Sequence, residues 1–200
     1  MIKNRREERR TQYDRRRKEW LYTRIGFGAI AALIVLGLGW GVYTVYDNWR
    51  DEQDLEGVVD YDFAGLQHVG TGETVPYAEV PPAGGAHDSR WQNCGFYSLP
   101  IRSEHAVHSL EHGAVWITYD PTLPQEQIDE LQEKADGEAY LLVSPFEGLP
   151  SPVVASSWNH QILLDGVDDD RLDTFVRVYT QGPDTPEPGA SCSGQVSTTA

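Results

Sequence analysis

Hydrophobic and polar positions along the chain change character twice. Residues 1–24 are strongly polar, residues 25–46 form an unbroken apolar run, and the remainder alternates in the short periods of a folded domain. The run Ile25 to Tyr46 is rich in Leu, Ile, Val, Ala and Gly and holds no charged residue. As a helix rising about 1.5 Å per residue it reaches roughly 33 Å, enough for a hydrocarbon core of about 30 Å. Trp20 and Tyr22 on one side, and Trp40, Tyr43, Tyr46 and Trp49 on the other, suit the two membrane–water interfaces. A cleaved signal peptide would have a shorter apolar region and a small-residue cleavage site. The run ends instead in Gly-Val-Tyr-Thr-Val-Tyr, so the pattern predicts a retained single-pass anchor.

Beyond it, residues 47–62 are acidic and polar and read as a spacer. From 63 to 103 glycine and proline recur so often that ordered loops or short strands are expected rather than helices. Tyr77, Trp91, Phe96 and Tyr97 in that stretch call for a surface to pack on. Ala114–Tyr119 has the β-branched and aromatic content of a buried strand. Residues 125–135 place Ile128, Leu131 and Ala135 on one helical face after Pro124. Strands are predicted over 140–144, 152–156 and 158–164. A last helix opens at Asp168 and buries Leu172, Phe175, Val176 and Tyr179. This order predicts an α+β domain over 63–181, a small mixed or antiparallel sheet with two or three helices, preceded by one transmembrane helix. The Pro/Gly/Ser-rich residues 182–200 read as a flexible tail, and no internal repeat is present.

Charge gives the pattern a direction. The chain carries a formal net charge of −15, with 16 Lys+Arg and 31 Asp+Glu. Ten of the basic residues lie within 1–24. The positive-inside rule therefore puts 1–24 in the cytoplasm and the acidic domain on the outer side of the cell membrane. The expected contacts are the lipid bilayer, through 25–46, and neighbouring membrane proteins. The acidic domain excludes nucleic acid as its partner, because phosphate binding needs clustered Lys and Arg. Gly37 and Gly41 form a GxxxG of the kind that lets helices approach, a pattern common by chance in membrane helices.

The candidate chemistry lies in histidines. All six (His68, His87, His105, His108, His112 and His160) follow the apolar run. Glu104-His-Ala-Val-His-Ser-Leu-Glu-His-Gly113 puts His105, His108 and His112 on one face if it is helical, with Gly113 to end the helix. Neutral imidazole is a common ligand for zinc and copper, and Glu111 can complete a shell or orient a ring. His87, in a Gly-Gly-Ala-His loop, is a further candidate. The only methionine is Met1, which excludes a methionine-type Cu(I) site and leaves Cu(II) or Zn(II). The alternative is that these histidines cap a helix or satisfy buried polar groups without metal. His108-Ser-Leu-Glu-His112 also reads as H-x-x-E-H, in which Glu111 would be the catalytic group of a zinc hydrolase. Nothing singles out a third ligand for it, so a non-catalytic role is favoured.

Cys94 and Cys192 would both face the outside, where disulfides persist. A bond between them would close a loop of about 100 residues, worth about 4–5 kcal/mol in the chain-entropy model. A free thiol, or Cys94 as a metal ligand, is the alternative. No G-x-S-x-G, P-loop, dinucleotide fingerprint or N-x-S/T sequon occurs.

Pro81-Pro82-x-x-Gly85-x-His87, Trp91, Gly95, Tyr97, Glu104 and Val107-His-Ser-Leu-Glu-His-Gly113 resemble the bacterial domain-of-unknown-function family 3105. Tyr119-x-Pro121, Pro145 and the Gly182-Pro-Asp-Thr-Pro-Glu-Pro188 string fit as well, so the likeness covers roughly residues 60–190. The family has no assigned activity, and members often carry one N-terminal membrane helix. The resemblance implies that His68, His87, His108, Glu111 and His112 belong to the family's pattern, with His105 less typical. It implies His87, His108 and His112 as the better ligand set, and His68 as a fourth.

Overall fold

A computed structural model describes residues 2–200; Met1 lies outside the described residues. The chain divides into two compact units, residues 1–48 and 49–200. Helix α1 covers Ile2–Asp54, and its segment Gly26–Asp51 is long and apolar enough to cross a membrane.

The second unit is built on a six-stranded mixed sheet. In chain order it comprises β1 (Val58–Asp60), β2 (His68–Val69), β3 (His87–Asp88), β4 (Gly95–Phe96) and α2 (Ser103–Glu111). There follow β5 (Val115–Tyr119), α3 (Gln125–Ala135), β6 (Leu141–Pro145), β7 (Val153–Ser157), β8 (His160–Leu164) and α4 (Arg171–Tyr179). The strand order is β1-β8-β7-β5-β6-β4, while β2 and β3 form a separate parallel pair. β5 and β6 are parallel, joined by the crossover helix that parallel neighbours require. β7 and β8 form an antiparallel hairpin closed by Trp158 and Asn159, the latter at φ +70°, a conformation that asparagine tolerates.

Alternation along β5 divides two cores. Val115, Ile117 and Tyr119 face α3 and α4, packing with Leu131, Ala135, Leu172, Phe175 and Val178. Trp116 faces the other way, with Leu142 and Trp158, and meets Ala106, Val107 and Leu110 of α2. Every residue of β5, β6 and β7 is buried, as expected of strands covered on both faces.

The α+β reading with a mixed sheet holds, and two readings of the flanks change. Within the acidic stretch 47–62, α1 continues to Asp54 and Val58–Asp60 forms the sheet edge, paired with β8. Pairing of Val58 with Ile162 extends the apolar sheet, and this outweighs the local acidity. The stretch read as a flexible tail is fastened at several points. Cys192 is bonded to Cys94, Val196 bridges Gln92, and the Ala200 amide donates to Pro100 O. The Glu187 amide donates to Glu111 O. These contacts explain how a Pro/Gly/Ser-rich segment lies as a strap over α2: its backbone groups find partners in the domain.

Candidate metal centre

Helix α2 is buried over Glu104–Glu111, although five of those eight residues are polar or charged. The Gly/Pro loops and the C-terminal strap explain this, since they cover the face that the sheet does not. The helix carboxylates receive the loops' amides: Glu104 Oε1 accepts from Val75 N at 3.0 Å and Glu111 Oε1 from Leu66 N. Asp88 plays the same part on β3, accepting from Gly72 N at 2.9 Å and Arg90 N at 3.0 Å.

Four histidines gather over α2. The parallel pairing of β2 with β3 sets His68 beside His87. Ring centroids lie 4.9 Å apart for His68 and His87, 5.0 Å for His68 and His108, and 4.9 Å for His87 and His108. His108 and His112, one helical turn apart, have centroids 4.6 Å apart. Trp158 packs edge-on to His87 at 5.9 Å, and Trp91 lies 4.8 Å from His112, so indoles wall the cluster.

Hydrogen bonds to the main chain fix the tautomers. His87 Nδ1 is 2.8 Å from Gly85 O, His108 Nδ1 is 2.7 Å from Asp88 O, and His112 Nδ1 is 2.7 Å from Ser191 O. A carbonyl oxygen can only accept, so each Nδ1 carries the hydrogen and each neutral ring presents its Nε2 as a lone pair. These lone pairs meet other acceptors. His108 Nε2 is 3.0 Å from His112 Nε2, and His87 Nε2 is 3.0 Å from Glu111 Oε2. His68 Nε2 lies 3.7 Å from the same Glu111 oxygen, and His112 Nε2 lies 3.4 Å from Glu187 Oε2. Acceptor against acceptor is repulsive in a buried site unless a cation, proton or metal, lies between them.

Burial pushes the His108 imidazole down to about 4; the Asp88 carbonyl opposes this, and His87 and His112 add to it. The ring is therefore neutral and its Nε2 free to ligate across the ordinary pH range. Burial alone would raise the Glu111 carboxyl. A proton or cation held between His87 and Glu111, together with the bond from Leu66 N, outweighs it and holds Glu111 below the usual carboxylate range, so it is ionised.

Two groups of donor atoms can hold a metal ion among the described residues: His68, His87, His108 and Glu111, and His108, His112 and Glu187. In each group the atoms lie within 4.8 Å of one another. Nitrogens bound tetrahedrally at about 2.0–2.1 Å from zinc stand roughly 3.3 Å apart, close to the spacing found here. The donor set of imidazoles and a carboxylate, backed by carbonyls on Nδ1, has the form of a metal shell with its supporting hydrogen bonds.

All five sequence candidates (His68, His87, His108, Glu111 and His112) therefore come together. His105 does not join them. It sits one turn earlier, with Nε2 3.5 Å from Asp88, its imidazole pushed down by burial against the pull of that carboxylate. His160 is elsewhere, between Asp60 and Asp184 at 2.8 Å each. Glu187 was missed, because nothing but its place in the Gly182–Pro188 string distinguishes it from other acids. Cys94 and Cys192 form a disulfide, so neither is a ligand.

The family described as Protein of unknown function (DUF3105) matches residues 68–194. The chain belongs to that family. The matched stretch opens on His68 and closes just past Cys192, so the family's boundaries enclose every donor of the two groups and both cysteines. No curated protein and no solved structure matched the chain.

Proposed function

We propose that this chain is a membrane-anchored protein whose outer domain binds one Zn(II) or Cu(II) ion through the histidine cluster, in metal handling or in assembly of a neighbouring membrane complex. The observation that carries the reading is the pair of acceptor–acceptor contacts, His108 with His112 and His87 with Glu111. With a carbonyl on each Nδ1, only an added proton or a metal ion can complete these contacts, and a metal ion serves at either one. Imidazole and carboxylate donors suit Zn(II) and Cu(II) alike. The basic residues 1–24 favour a cytoplasmic N-terminus, and the Cys94–Cys192 bond favours an oxidising outer compartment for the domain.

Metal analysis of the full chain in detergent tests the reading. About one zinc or copper per chain is expected, lost in His108→Ala. No metal retained and no micromolar uptake would overturn it. The metal-free alternative, in which the histidines pin the loops to α2, draws on the same Nδ1 bonds but leaves the Nε2 contacts unrelieved. A hydrolase reading of H-x-x-E-H has less support, because Glu111 already accepts from Leu66 N with one oxygen and faces His87 with the other. It predicts that Glu111→Gln keeps metal and loses a hydrolytic activity.

A further inference from the structure

The geometry points to Zn(II) as the ion this site favours over Cu(II), through the backbone of Leu66, which leaves Glu111 one oxygen to give. The inference rests on the metal-binding reading above. It concerns which ion the four-donor group His68, His87, His108 and Glu111 prefers.

Three imidazoles on three corners of a square would leave one pair opposite each other, markedly farther apart than the other two pairs. Here the ring centroids stand 4.9, 5.0 and 4.9 Å apart, an even triangle such as forms the base of a tetrahedron. From Glu111 Oε2 the Nε2 atoms of His87 and His68 lie 3.0 and 3.7 Å away. Those distances fall either side of the roughly 3.3 Å edge of a tetrahedral zinc site. Four protein ligands in a tetrahedron suit Zn(II), whereas Cu(II) favours square-planar or tetragonal positions.

A carboxylate can spoil this count by turning both oxygens to the ion. Glu111 is kept from doing so. Its Oε1 accepts from the Leu66 amide, and Gly65 brings the same backbone so close that an added Cβ would stand 3.2 Å from that oxygen. Leu66 sits at φ +61°, a left-handed conformation unfavourable for a bulky residue. Burial of its side chain does not offset that strain, because Leu66 is 63% exposed. What the conformation secures is the amide on Glu111, two residues before His68. Leu66 is therefore a positioning residue, acting on the ion through Glu111.

The test loads the full chain in detergent with Co(II) chloride, whose visible absorption is intense in four-coordinate tetrahedral sites and weak in six-coordinate ones. The wild type should give the intense spectrum, and one equivalent of Zn(II) should abolish it. Leu66→Gly keeps the N–H and accepts positive φ, so it should keep both the spectrum and the zinc affinity. Leu66→Pro has no N–H and cannot reach positive φ, so Glu111 becomes free to turn both oxygens to the ion. Its cobalt spectrum should weaken. Its affinity for zinc relative to copper should fall at least about tenfold, the low end for loss of a ligand's supporting partner. A weak, six-coordinate spectrum in the wild type would overturn the inference, whether or not the proline variant folds. So would a Leu66→Pro chain that matches Leu66→Gly in spectrum and in metal preference. Failure of the wild-type chain to bind cobalt, zinc or copper at all would instead overturn the metal reading on which the inference stands.

Discussion

His108 and His112 face each other Nε2 to Nε2 across 3.0 Å, while both are bound through Nδ1 to carbonyls far apart in the chain, at Asp88 and Ser191. Neither neutral ring can turn to offer a hydrogen without abandoning its main-chain acceptor. The loop before α2 and the strap after α4 thus converge on one helical turn and jointly force two lone pairs together. Such a contact is costly in a folded core unless a cation lies within it.

Restoring one hydrogen should therefore relieve the apoprotein and harm the site. His112→Gln puts an amide, which has both a donor and an acceptor end, opposite His108. The metal-free variant is expected to melt no lower than the metal-free wild type. Its zinc affinity should fall by about 10- to 100-fold. Calorimetry with and without chelator, together with zinc titration, checks both halves. A variant that binds zinc as tightly as the wild type would show that the contact is not a ligand pair.

The disulfide should act on the site as well as on the fold. Cys192 follows Ser191, whose carbonyl orients His112, and the Cys94 amide donates to Cys192 O. Free-thiol titration of the denatured, unreduced chain should find none, and two after reduction. Reduction, or the Cys94→Ser, Cys192→Ser double variant, should cost about 4–5 kcal/mol of stability by chain entropy. Zinc should bind about 10- to 100-fold more weakly once Ser191 is no longer held. Unchanged affinity would mean that the strap keeps its place without the bond.

What was legible in the sequence follows the strength of local pattern. Helix Gln125–Ala135 was read residue for residue, because Leu131 and Ala135 are buried on an otherwise polar helix. The strands around Val115, Leu141 and Val153 were read to within a residue or so by their β-branched runs. The edge strand Val58–Asp60 was not, since three residues in an acidic stretch carry no period and only pairing with β8 defines them. In the last helix Val178 is buried where Val176 was expected; Val176 packs at the margin. The site divides in the same way. His108, Glu111 and His112 share one short string, whereas Glu187 and the Ser191 carbonyl reach the cluster only through the tertiary course of the strap.

Gly113 shows how tightly that course is drawn. It follows the end of α2 at φ +90°, and an added Cβ would lie 2.3 Å from Gln181 Nε2 and 3.0 Å from Thr185 Cγ2. Gln181 Nε2 donates to His112 O, so the clash falls on the junction between α4 and the strap. Gly113→Ala is expected to destabilise the domain by about 1–3 kcal/mol through the backbone strain alone. Urea unfolding measures it; a loss below the lower figure would mean that Gln181 yields freely.

Asp169 offers a pH signature away from the histidines. The Arg171 guanidinium, donating to both of its oxygens, lowers its carboxyl to about 2, helped by the Arg171 amide and against a smaller effect of burial. The folded state thus holds the proton less readily than the unfolded chain, whose carboxyl titrates near 3.8. Stability from this pair is complete above that value and is lost as pH falls through 2, because the unfolded state binds the extra proton in that window. Since Arg171 is itself a third exposed, about 1–2 kcal/mol is expected at neutral pH after allowing for screening. Asp169→Asn should remove that stability at pH 7 and flatten the slope of unfolding free energy between about pH 4 and 2. Arg171 also donates to Leu163 O and Glu56 O, so the pair joins the start of α4 to the turn after α1 and to β8. The aspartate variant leaves those bonds in place. Equal slopes in the two proteins would mean that Asp169 titrates alike whether folded or unfolded.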